Sequence, residues 1–146
     1  MPHRAFKLYA HITWHTWKRV GCVDGRAALT FPAIIHGAAR RTGIEVVAAA
    51  VLADHVHVLV SFRPETRLSD FVRLAKSITA LVANRRVAGA VKWARGFYAA
   101  TLREEDLSRV ARYIRHQYER HPDLIPRSLS DPGREPGAPG EGSRSR

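Results

Sequence analysis

Apolar residues recur along this chain with two different periods, and each change of period marks an element. From Ala5 to Thr16 they alternate, with Leu8, Ala10, Ile12 and Trp14 on one side and Tyr9, His11, Thr13 and His15 on the other. A two-residue period is that of a strand, and the first set is its core side. Within Ala27 to Thr42 the spacing becomes helical, with Phe31, Ile34, Ile35 and Ala38 on one face. Thr30 is expected to cap the regular part, Pro32 to sit in the first turn and Gly43 to stop the helix. Ile44 to Ala53 and His55 to Phe62 are two apolar runs, rich in β-branched and small residues, that nearly abut at Asp54, which predicts a tight antiparallel hairpin. Leu68 to Arg86 carries the clearest helical pattern, with Phe71, Leu74, Ile78, Leu81 and Val82 in phase and Ser69 or Asp70 as the cap. A fourth strand is expected over Val91 to Leu102. A last helix is expected from Glu104 to about Arg120, with acid gathered at its start and Leu107, Val110, Ala111, Ile114 and Tyr118 as its packing stripe.

Strand, helix, strand, strand, helix, strand, helix is the order of an α+β domain: a ferredoxin-like or RRM-like antiparallel sheet with helices packed on it. The 146 residues suffice for one such domain with its own core. Apolar content collapses after His121-Pro122, so the expected organisation is a folded domain over 1–122 and a disordered Pro/Gly/Arg-rich tail over 123–146.

Charge narrows the partner. Lys and Arg number 24 against 13 Asp and Glu, a net charge of +11. An excess of this size favours a polyanion, nucleic acid ahead of a membrane. No apolar run approaches the roughly 20 residues of a span, and Met1 to Lys7 lacks the apolar region of a signal peptide. Cys22 is the only cysteine, which excludes an internal disulfide or a multi-cysteine zinc site and fits a cytoplasmic location. The most basic stretch carries Arg63, Arg67, Arg73, Lys76, Arg85, Arg86, Lys92 and Arg95 against Glu65 and Asp70, and Trp93, Phe97 and Tyr98 lie in or just after it. Cations interleaved with aromatic rings suit single-stranded nucleic acid, phosphates meeting charge and bases stacking on rings. With Lys18 and Arg19 beside Trp17 at the end of the first strand, the nucleic-acid candidates are Lys18, Arg19, Arg73, Lys76, Arg85, Arg86, Lys92, Trp93 and Arg95. The same rings read equally well as core of the fourth strand.

The chemistry concentrates in two short motifs. In Asp54-His55-Val56-His57-Val58-Leu59-Val60 the valines point into the core, and His55 and His57 project together on the opposite, exposed face, with Cα atoms roughly 7 Å apart. Two imidazoles so placed can close on one cation, although a His pair also suits a plain solvated sheet face. Farther along, Tyr113 and Gln117 are four residues apart, one helical turn. Gln offers a neutral oxygen. Two imidazoles, one amide oxygen and no thiolate suit Mg²⁺ or Mn²⁺ better than a structural zinc. A phenol beside such a cation is a candidate nucleophile.

His55-Val56-His57 followed by Tyr113-Ile114-Arg115-His116-Gln117 resembles the HUH-superfamily transposases with one catalytic tyrosine, the TnpA-like enzymes of small bacterial insertion sequences and their REP-associated relatives. The resemblance spans residues 5 to 121. The opening Tyr9-Ala10-His11-Ile12-Thr13-Trp14-His15-Thr16-Trp17-Lys18-Arg19 is similar to that family's first strand and its basic end. Leu74-Ala75-Lys76-Ser77 and Trp93 with Gly96-Phe97-Tyr98 resemble two further motifs. Leu52-Ala53 departs from the family's usual Met-Pro. The resemblance implies His55, His57 and Gln117 as ligands of Mg²⁺ or Mn²⁺. It implies Tyr113 as the nucleophile that cleaves single-stranded DNA at hairpin-flanked sites through a 5′-phosphotyrosine. It also implies a homodimer, in which the tyrosine can act on the partner's histidines. A relative that only binds DNA or RNA hairpins, or a plain RRM-like binding module, are the competing expectations.

Overall fold

The computed structural model describes residues 8–127. Its centre is a four-stranded antiparallel sheet of β1 (Leu8–His15), β2 (Glu45–Val51), β3 (His55–Phe62) and β4 (Tyr98–Leu102) in the order β2-β3-β1-β4. Helices α1 (Gly25–Arg41) and α2 (Leu68–Arg86) make the two crossovers. This is the ferredoxin-like arrangement, as the element order predicts. A further helix, α3 (Leu107–Arg115), and a single turn, α4 (Gln117–Arg120), follow the sheet.

The two faces of the sheet are covered by different elements. On one, Ala10, Ile12 and Trp14 of β1 and Val56, Val58 and Val60 of β3 pack with Phe31 and Ile35 of α1 and Phe71, Val72 and Ala75 of α2. On the other, Ala111 and Ile114 of α3 meet Ala48 and Leu59. The inner strand β3 is therefore enclosed on both sides, whereas Tyr9, His11 and His15 on that second face of β1 are only half-buried.

Several local expectations change. The start of α1 is set by Asp24, whose carboxylate accepts from the Ala27 N–H at 2.8 Å. Thr30 lies inside the helix and bonds back to the Arg26 and Ala27 carbonyls, and Pro32 is also interior, at a cost of one hydrogen bond to the preceding turn. Gly43 does end the helix, at φ +74°. Helix α2 has the expected bounds but no side-chain cap: Arg67 holds the N-cap position, and Ser69 and Asp70 lie inside the first turn, where Asp70 pairs with Arg73 at 2.7 Å. Its buried stripe is Phe71, Val72, Ala75, Thr79 and Ala83, while Leu81 is exposed. Small residues at the contact let α2 lie close to α1 and leave larger ones at the margin.

Of the expected fourth strand only Tyr98–Leu102 joins the ladder. The preceding loop is held by one bridge between Thr16 and Trp93, and by Lys76, whose Nζ donates to the Ala94 and Gly96 carbonyls at 2.7 and 2.8 Å. The last helix is interrupted at His116, with φ −102° and ψ 20°. Beyond 122 the chain stays on the domain: the Ala53 N–H donates to Leu124 O, the Gly25 N–H to Arg127 O, and Pro126 is buried. The folded part thus runs past the expected boundary. The start of the first strand at Ala5 and the tail over 128–146 lie outside the described residues. No helix among the described residues is long and apolar enough to cross a membrane.

Candidate active site

The His pair is buried, not exposed: His55 and His57 are each 7% accessible. Strand alternation sends them away from Val56 and Val58, as predicted. On an inner strand, however, that face lies between neighbouring strands and beneath α3. Antiparallel register brings β1 histidines alongside, with His15 opposite His55 and Thr13 opposite His57. His11 sits diagonally across, and its Nε2 lies 2.8 Å from His57 Nδ1.

These contacts form one chain. Asp54 Oδ1 is 2.6 Å from His55 Nδ1, and His55 Nε2 is 3.0 Å from His57 Nε2. The carboxylate can only accept, so His55 Nδ1 carries the proton and its Nε2 lone pair faces His57. Burial, together with the nearby His55 and His11, pushes the His57 pKa down to about 3. Burial lowers His11 as well. His57 is thus neutral at physiological pH, the state a metal ligand requires.

Tyr113 stands over this row from α3. Its ring is edge-on to His57 and His11, with centroids 6.0 and 6.2 Å away. The Arg120 guanidinium lies 4.8 Å from the tyrosine ring centre, within cation–π range. A cleft of about 900 Å³ opens here, lined by His11, Arg109, Arg112, Tyr113, His116 and Arg120. Those arginines are not among the nucleic-acid candidates named from the sequence; the folded helix brings them into the tyrosine's cleft.

Gln117 opens α4, past the break, so it and Tyr113 do not share one unbroken helical face. Its Nε2 donates to Tyr113 O at 3.0 Å, and it is 1% accessible. It replaces Tyr118 as the buried member of the stripe. Tyr118 is instead an anchor, its hydroxyl donating to Val51 O at 2.7 Å. Gln117 lines a small cleft with Ala50 and Val51, and Ala50 is the strand partner of His57. Its Oε1 is buried without a hydrogen-bond partner.

A divalent cation fits this donor set. Among the described residues no three His, Cys, Asp or Glu side chains are grouped to hold one cation. The Gln117 oxygen, buried with no hydrogen-bond partner among those residues, is a neutral donor of another type. Two imidazole nitrogens 3.0 Å apart can neighbour each other on one small ion.

The nucleic-acid candidates scatter. Lys18 and Lys92 gather on the half-exposed Trp17, with ammonium groups 6.0 and 4.7 Å from its ring centre. Lys18 and Arg19 both hold positive φ, 53° and 57°, in a tight turn after β1. Arg85 and Arg95 are exposed. Arg73 pairs with Asp70, Arg86 with Asp24 at the start of α1, and Lys76 ties down the loop before β4. Trp93 belongs to the core: it packs edge-on to Trp14 and tilted against Phe31, and its Nε1 donates to Thr79 Oγ1 at 3.0 Å. Of the two expectations for that ring, the core one matches its surroundings.

The family model "Transposase IS200 like" matches residues 4–117. The chain is 27% identical over 122 residues to the ISDra2 transposase TnpA of Deinococcus radiodurans, covering 79% of this chain and 87% of that protein. It is 24% identical over 152 residues to the transposase for insertion sequence element IS200 of Salmonella typhimurium, covering 99% and 96%. Among solved structures, a candidate transposase of Deinococcus radiodurans R1 superposes with a TM-score of 0.62 at 25% identity, over 80% of this chain and 95% of that one. A REP-associated tyrosine transposase bound to a REP hairpin superposes at 0.63 with 16% identity, over 83% and 74%, a likeness of fold. The buried histidine pair, the tyrosine above it and the glutamine beyond the helix break thus sit in a chain that belongs to the IS200-like transposase family.

Proposed function

We propose that this transposase cleaves and rejoins single-stranded DNA with Tyr113 as its nucleophile, assisted by Mg²⁺ or Mn²⁺ on His55, His57 and Gln117. The observation that carries this reading is a tyrosine edge-on to His57 of a buried histidine pair, together with a buried glutamine oxygen that has no hydrogen-bond partner among the described residues. Tyr113 Oη gives up its proton and bonds to phosphorus, and the P–O3′ bond breaks. The 3′ oxygen leaves and takes a proton, which yields a 5′-phosphotyrosine and a free 3′-OH. Attack by a 3′-OH on that ester reverses the bond changes and releases the tyrosine, so the bond count is conserved and no nucleotide cofactor is needed. When bound, the cation supplies polarisation of the scissile phosphoryl oxygens. Arg109, Arg112 and Arg120 line the tyrosine cleft, where their charges suit the DNA backbone.

Binding of a hairpin next to the cleavage site is supported by the hairpin-bound relative of like fold and by the cations around Trp17. Tyr113 lies over the histidines of its own chain, and the family resemblance implies a homodimer in which the tyrosine can act on the partner's histidines. The test uses 3′-labelled hairpin oligonucleotides and Mg²⁺ on a denaturing gel. A covalent protein–DNA band is expected, lost with chelator and lost in Tyr113→Phe. Tight hairpin binding with no band under any metal condition would instead indicate a protein that only binds.

A further inference from the structure

The row of imidazoles contains His11, which the proposed chemistry does not use. His11 comes from β1, not from the His-x-His motif, and its Nε2 lies 2.8 Å from His57 Nδ1, the nitrogen on the far side of the ring from His55. The ring planes are 28° from parallel and the centroids 5.1 Å apart, the separation of two imidazoles joined end to end, nitrogen to nitrogen. On the other ligand Asp54 plays the matching part, 2.6 Å from His55 Nδ1.

A neutral imidazole has one N–H and one lone pair. For His57 Nε2 to offer its lone pair beside that of His55, the His57 proton must be on Nδ1. That proton then needs an acceptor, because His57 is buried and an unpartnered N–H there is costly. His11 Nε2 is the acceptor in place. We propose that His11 is a positioning residue for the cation site: it accepts the His57 Nδ1–H, holds that ring in its Nε2-ligating tautomer and orientation, and carries its own proton on Nδ1. The pair Asp54–His55 and His11–His57 then works as two clamps, one anionic and one neutral. A neutral clamp on the second histidine adds no negative charge to the cleft where the DNA backbone must enter.

This inference rests on the proposed metal-dependent reading, and the experiment separates the two. Mn²⁺ binding to the full-length chain is followed by electron paramagnetic resonance for wild type, His11→Leu, His11→Gln and His55→Ala. Loss of an outer-shell partner typically weakens metal binding about 10- to 100-fold, and that range is expected for His11→Leu. His11→Gln keeps an acceptor oxygen and is expected to bind close to wild type, a rescue that a purely packing role would not produce. Nitrogen-15 NMR of the Mg²⁺-loaded wild-type protein is expected to show His57 and His11 both protonated on Nδ1, a readout independent of any variant's folding. Equal Mn²⁺ affinity in wild type and His11→Leu, with binding abolished in His55→Ala, would overturn the role of His11 and leave the metal site standing. A His57 proton on Nε2 in the loaded protein would overturn it as well. A wild-type protein whose Mn²⁺ binding is untouched by His55→Ala would overturn both.

Discussion

The two faces of one sheet solve opposite problems. The face under α1 and α2 is apolar apart from the Trp14 Nε1, which is buried with no hydrogen-bond partner among the described residues: Ala10, Ile12, Trp14, Val56, Val58 and Val60 are all inaccessible, and two long helices cover them. The face under α3 is as enclosed at its centre but is lined by His11, Thr13, His55 and His57, with Ala48, Leu59, Ala111 and Ile114 as its buried apolar base and Val47, Ala50, Leu102, Leu107 and Val110 packed around them. The first face contributes stability through area removed from water. The second holds polar groups out of water at a cost that its hydrogen bonds only partly offset. The Gln117 oxygen is one remainder, buried with no hydrogen-bond partner among the described residues.

That division can be broken from either side. The largest expected effect is on the apolar face: Trp14→Ala should cost about 3–5 kcal/mol, enough to unfold a marginal domain. Urea denaturation would measure it, and metal binding should disappear with the fold.

Next in size is a pH effect from the polar face. His57 is held well below its ordinary 6.5, at about 3. Between those values the unfolded chain binds a proton that the folded chain does not. Stability contributed by the neutral histidine is therefore full above about pH 6.5 and falls as pH drops toward 3, by up to about 1.4 kcal/mol per unit. Urea midpoints at pH 7 and pH 5 would show the decline, and His57→Phe should flatten it. An equally steep decline in that variant would mean that other groups carry the acid sensitivity.

The smallest stability effect is the sharpest test of the comparison. Gln117→Met removes the orphaned oxygen at nearly constant volume. It also loses the bond to Tyr113 O, so the net change should lie within about 1 kcal/mol of zero. DNA cleavage should nevertheless fall steeply. A large loss of stability would mark Gln117 as a structural residue and weaken its place in the site.

Much of the fold was legible in the pattern of residues. β3 and α2 have the predicted bounds, the β2–β3 hairpin forms, and Gly43 ends α1. The misses share a cause: each depends on what a residue meets after folding. Trp93 read equally well as a stacking ring or as core, and only its seat between Trp14, Phe31 and Thr79 decides for the core. The arginines of the tyrosine cleft are separated from the histidines by about half the chain, and no local pattern connects them.

What the sequence determined by itself is the alternation that puts His55 and His57 on one face and His11 on its own strand's polar face, because side-chain direction in a strand follows from covalent geometry alone. It also determined that Tyr113 and Gln117 lie near each other, because four residues of helix-forming chain cannot spread far. The antiparallel register that sets His11 against His57, the break at His116 and the burial of Gln117 were decided only by the tertiary structure. They are outcomes of competition between packing surfaces distant in sequence, and a local pattern does not contain its competitor.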